Sequence, residues 1–179
     1  MILESNVNIV ESILYLYPNA KFGTDFYAIY DGTSFKLIEW RMETPPPSLQ
    51  ELEKAYNDSK FNVLKQNKIN ELDNACKNAI LNNFTATLNG VDYEFAYDDK
   101  AQIRFTGVGV LFLGNKITNI DWTAYLNCQR MRITLSKDDF DSVSLAALKH
   151  QDDNIKKYSD LYVQVMSATT ADEVNQIVW

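Results

Sequence analysis

Apolar positions near the start of the chain recur at helical spacing, with Ile9, Ile13, Leu16 and Tyr17 along one side. Pro18-Asn19 then ends that predicted helix. Two short runs rich in aromatic and β-branched residues follow, "TDFYAIY" and "FKLIEW", joined by "DGTS" with its Asp31-Gly32 turn signal. Strict alternation in the second run puts Lys36, Ile38 and Trp40 on one face and Phe35, Leu37 and Glu39 on the other. Both faces therefore carry rings or aliphatics. Such a hairpin is either covered on two sides or keeps one side for docking.

The prolines of "TPPPS" make a stiff spacer. Ser48 with Glu51 then forms a capping box, and the pattern stays helical to about Asn82. Leu49, Leu52 and Tyr56 make a first stripe, and Phe61, Leu64, Leu72, Ala75 and Ala79 a second that Lys68 interrupts. The stripe changes phase across "NDSK", which predicts a break or bend near 57–60. Beyond it, "FTATL" and "VDYEFAY" flank Asn89-Gly90, the strongest hairpin signal in the chain. Residues 100–113 read both ways: Ile103, Val110 and Leu113 suit a helix, while Gly107 and Gly109 weaken one. "KITNIDWTAYL" and "QRMRITL" alternate as a second strand pair. Ser136 with Asp139 opens a helix through His150 and on toward Met166, and Thr170 with Glu173 opens a short one ending at Trp179.

The elements predict an α+β protein in three parts: a small N-terminal β-hairpin unit (1–47), a long connecting helix (48–82) bent near 57–60, and a C-terminal domain (83–179) of antiparallel strands packed with helices.

Composition narrows the function. The apolar fraction of 46% with 23% charged residues fits a globular chain. A net charge of −7 with no basic stripe argues against nucleic acid or an anionic membrane as partner. The start lacks a basic n-region, and "GVGVLFLG" is too short to span a bilayer. Cys76 and Cys128, far apart and without CxxC spacing, then read as reduced cytosolic thiols.

Candidate chemistry is sparse. His150 is the single histidine, and neither cysteine carries a local nucleophile motif, so the expectation for it is a helix C-terminal histidine before a loop or a structural hydrogen bond. Three His and Cys residues, unclustered, do not make a zinc site, and the acidic pairs lack calcium-loop spacing. The glycines of "FTGVGVLFLG" do not match a phosphate loop. The reading is a non-enzymatic protein with no catalytic residue, cofactor or metal. Ten tyrosines, nine phenylalanines and three tryptophans exceed what a small core needs. Such rings bring large rigid contact area to interfaces, and Phe26, Tyr30, Phe35 and Trp40 of the N-terminal hairpin are the candidate protein-binding residues.

"YPNA", "DF", "DG", the tryptophan of "IEW", the prolines at 45–47 and "ELE" occur in an order that resembles the XkdW-like family of phage and phage-like elements. The tail-fibre assembly proteins are similar in one respect, a tryptophan-bearing β unit leading through prolines into a helix. The back half, from "INELDNACKNAI" to "HQDDNIKKYSDLYVQVMSATTADEVNQIVW", resembles a phage-associated domain of unknown function. The resemblance implies a tail-associated binding protein, an assembly factor or chaperone for a tail fibre or receptor-binding protein, or alternatively a structural part of the baseplate or tail tip. Implied partners are a fibre or baseplate protein and further copies of the chain. The implied location is the host bacterial cytoplasm during assembly, or the virion tail.

Overall fold

The computed structural model describes residues 3–179, so the first two residues of the predicted N-terminal part lie outside it. The chain is α+β and divides into two compact units. One holds the residues up to Lys68 together with Ala168–Gln176; the other holds Ile69–Ser167 and Ile177–Trp179.

In the first unit, β1 (Leu3–Ser5), α1 (Ile9–Leu16), β2 (Phe26–Tyr30) and β3 (Phe35–Trp40) precede the long helix α2 (Leu49–Ile80). Asn8 caps α1, its Oδ1 accepting from the amides of Val10 at 3.1 Å and Glu11 at 3.3 Å. The sheet order is β1-β3-β2, all antiparallel. Strand β1 had no counterpart in the sequence reading, because three residues give too short an alternation to detect. Ile9, Ile13, Phe26, Ala28, Leu37 and Leu52 form the core of this unit.

The alternation in β3 is broken. Tyr27 pairs with Glu39 but Ala28 pairs with Leu37, so Ile38 is an extra residue bulged out of the ladder. One extra residue reverses the face of everything after it. Trp40 consequently joins Phe35 and Leu37 on the core side rather than Lys36 on the other, which corrects the strict alternation expected from sequence.

Helix α2 starts with the expected capping box: the Glu51 carboxylate accepts from the Ser48 amide at 2.7 Å, and the Ser48 hydroxyl accepts from the Glu51 amide at 3.3 Å. It runs without interruption through 57–60, so no break occurs there. The phase change has another cause. Leu52 and Ala55 are buried in the first unit, whereas Leu72 and Cys76 are buried in the second. A single helix thus serves two cores in succession.

The second unit contains a four-stranded antiparallel sheet in the order β4-β5-β6-β7, from β4 (Phe84–Leu88), β5 (Val91–Phe95), β6 (Asn119–Leu126) and β7 (Gln129–Ser136). Asn89 and Gly90 turn the first hairpin with φ of 52° and 78°, the left-handed values a two-residue type I′ turn requires. Asn127 and Cys128 do the same for β6 and β7, at φ 50° and 63°, without a glycine. Helix α3 (Asp99–Leu113) links β5 to β6. It forms despite Gly107 and Gly109: Asp98 caps its start, accepting from the Ala101 amide at 2.8 Å, and Phe105, Val108 and Phe112 are buried at helical spacing. Burying each such side chain is worth about 2 kcal/mol, more than the ~1 kcal/mol each glycine costs.

Helix α4 (Lys137–Ser167) begins at the Ser136–Asp139 box, where the carboxylate accepts from the Ser136 amide at 3.1 Å. Its Phe140, Val143 and Ala147 share one core with Phe105 and Phe112 of α3 and Trp122 and Leu135 of the sheet. A smaller cluster of the same unit gathers Leu72, Val165 and Ile177, with Tyr158, Leu161 and Trp179 against it. The last helix, α5 (Ala171–Gln176), belongs to the first unit and stops three residues short of the expected end. Ile177 and Trp179 leave helical geometry to enter that cluster, where Lys157 Nζ lies 4.4 Å from the Trp179 ring centroid.

Candidate binding surfaces

The four rings singled out from the sequence do not share a surface. Phe26 is fully buried in the first core, beyond the reach of any partner while the unit is folded. Trp40 is half-buried, edge-on to Tyr17 with centroids 5.6 Å apart, and its Nε1–H donates to the Thr44 carbonyl. Phe35 is also half-buried, with Tyr30 packed on it at 4.8 Å. Tyr30 alone of the four is exposed, at 59%.

Other apolar residues occupy the opposite side of this sheet. Tyr27 and Ile29, paired with Glu39 and Lys36, are exposed there. Phe22, also exposed, stacks on Tyr27 with centroids 5.6 Å apart and planes 22° from parallel. Strand alternation through β2 carried a signal for Tyr27 and Ile29; only the pairing register shows which β3 residues accompany them. Charges border the rings. Lys36 Nζ is 2.7 Å from Asp31 and 3.6 Å from Glu4, and Arg41 pairs with Glu39. The Lys36 ammonium, with the Thr33 hydroxyl and the Thr33 and Ser34 amides, holds the Asp31 carboxyl well below the usual carboxylate range.

The second unit carries a groove between α3 and α4, of about 620 Å³. Phe105, Phe140 and Ala147 form its floor, and Val110, Leu113 and Leu148 stand at its edges. Leu113 is 80% exposed and Leu148 55%, and Leu145 projects beside them on α4. Gly109 has no side chain to fill the space above the Phe140 ring; a Cβ there would lie 3.8 Å from Cε1. Tyr97, Gln102 and Gln151 line the groove at the start of α3, and the Tyr97 hydroxyl donates to Gln151 at 3.2 Å. Burial, with the Asp152 charge added, pushes the Tyr97 phenol upward. Sequence reading missed this groove. The available signal was an excess of apolar residues on α3, which cannot all face one core.

The candidate nucleophiles are occupied structurally. His150 Nε2 lies 3.1 Å from the Ala79 carbonyl and 3.2 Å from that of Ile80, and two acceptors require the proton on Nε2. The expected structural hydrogen bond is therefore present. Cys76 is buried, donates to the Asn154 carbonyl at 3.5 Å, and is pushed up in pKa by burial. Cys128 is exposed in the β6–β7 turn. Among the described residues no helix is long and apolar enough to cross a membrane.

Comparison with known families divides the chain near the middle of α2. Residues 63–178 match the family described as Domain of unknown function (DUF4376), and residues 9–62 match XkdW protein. The chain belongs to the DUF4376 family and carries an XkdW part at its N-terminal end. XkdW is a phage-associated family, which makes this a phage-related protein. No curated protein and no solved structure matches the chain.

Proposed function

Taking DUF4376 membership and the XkdW part as premise, we propose that this is a phage tail-associated binding protein, an assembly factor that shields a tail fibre or receptor-binding protein before it joins the particle. The supporting observation is the exposed ring surface of the first unit, where Phe22, Tyr27 and Ile29 present apolar area on the side of the sheet away from its core. A client with an incompletely buried apolar surface would be covered by such a face, whereas Tyr30 stands on the other side of the sheet, packed on Phe35. The bordering Lys36, Glu39 and Arg41 would orient the contact rather than supply its energy. The work assigned to the protein is non-enzymatic: association and release, in the host bacterial cytoplasm.

Quantitative mass spectrometry of purified particles against infected-cell lysate tests this. An assembly factor is abundant in lysate, absent from particles, and co-purifies with the fibre protein. Fixed copy number in particles would replace the reading with that of a structural baseplate or tail-tip component. Tyr27→Ala with Ile29→Ala is expected to abolish co-purification while circular dichroism stays unchanged.

A further inference from the structure

The α3/α4 groove is a separate surface, and the case for an occupant there does not rest on the chaperone reading. Its shape is that of a trough between two helices, with apolar floor and edges, the form that receives the apolar side of a third helix. Its charge is one-sided. Among the lining residues Asp141 is the one ionised side chain, and no Lys or Arg is present. Asp141 and Asp152 lie about three turns apart on α4, roughly 16 Å along the axis. Asp152 is close enough to act on Tyr97 at one end, while Asp141 and Leu113 line the other. Asp141 is shared with Lys137 at 2.6 Å, but both side chains are half exposed, so that pair is easily exchanged. Between the carboxylates, α4 presents Leu145 and Leu148, and Ile155 continues the stripe at 4-3-4-3 spacing.

We infer that the α3/α4 groove docks an amphipathic helix of a partner protein, with apolar residues at i, i+4 and i+7 and a lysine or arginine at each end, about three turns apart. A second copy of this chain fits less well. It would bring Asp141 and Asp152 against their own copies, on a molecule already at −7, with no Lys or Arg among the residues lining the groove.

The test uses the full chain and two synthetic helical peptides of equal length, one of leucine and lysine, the other of leucine and glutamate. Their binding is followed by residue-resolved NMR shifts, with sedimentation of the protein alone. Expected is saturable binding of the Leu/Lys peptide, with shifts centred on Val110, Leu113, Ser144 and Leu148. Leu148→Glu, at an exposed position that leaves the fold intact, should weaken it at least 10-fold, and Asp141→Asn with Asp152→Asn should remove most of its salt dependence. Equal binding of both peptides, binding unaffected by Leu148→Glu, or no binding would each overturn the inference. So would a dimer of the protein alone that Leu148→Glu dissociates, since the occupant would then be a second copy.

Discussion

His150 on α4 closes the C-terminal end of α2: its Nε2 stands 3.1 Å from the carbonyl oxygen of Ala79, 71 residues earlier in the chain. The last carbonyls of a helix lack intrahelical donors, and the imidazole supplies one. The ring also packs on Phe84 and Tyr97, at 6.1 and 6.0 Å between centroids.

His150→Ala removes both the donor and the packing. The expected loss is about 1–2 kcal/mol. A urea titration of the second unit, followed by hydrogen exchange of the Ala79 to Phe84 amides, checks it. Unchanged protection there would mean solvent caps α2 equally well.

Asp31 makes the first unit acid-sensitive. Its carboxyl is held below the ordinary range of about 4, first by Lys36 and then by Thr33 and Ser34. A folded pKa below the unfolded one gives stability that is present above about pH 4 and lost as pH falls further. Glu51, held low mainly by the Ser48 amide, and Glu173, held low mainly by the Thr169 amide, add the same sign. Residue-resolved exchange between pH 6 and 3 should show β2 and β3 loosening in acid, and Asp31→Asn should flatten that dependence.

The bulge at Ile38 puts Trp40 on the core side while Tyr30, at the other end of the hairpin, is exposed, so their truncations should differ in cost. Trp40→Ala should destabilise the first unit by about 2–3 kcal/mol, since a half-buried indole and its hydrogen bond are lost. Tyr30→Ala should cost about 1 kcal/mol or less. Denaturant midpoints compare them directly, and a Trp40→Ala protein of unchanged stability would contradict its place in the core.

Cys128 has a left-handed backbone at φ 63°, which an L side chain adopts at a cost. Cys128→Gly should raise the stability of the second unit by about 0.5–1 kcal/mol, read from the urea midpoint under reducing conditions. It also removes an exposed thiol, so any covalent dimer formed on air oxidation should disappear with it.

Features whose cause is local were legible in the order of residues. Ser48 with Glu51, Ser136 with Asp139, Thr170 with Glu173 and the Asn89-Gly90 turn each act within a few residues, and each is formed. Phase is a longer-range property. The shift along α2 was visible in the sequence, but whether it marks a break or a change of core depended on which residues bury Leu52 and which bury Leu72. Of the four rings proposed for binding, only Tyr30 is exposed, because the Ile38 bulge moves Trp40 to the inner side and Phe26 lies under the sheet.

By itself the sequence determined the α+β class, most of the helices and strands, the caps and turns that bound them, and the family. Those follow from periodicity and from hydrogen bonds closed within a turn or two. Tertiary structure decided which side of each element is buried: β1 beside β3, the bulge that reverses Trp40, the terminal Trp179 drawn out of helix, and an apolar excess on α3 and α4 left open as a groove. The same apolar residue reads alike whether it faces a core or a partner. Only the packing of distant segments against it makes the difference.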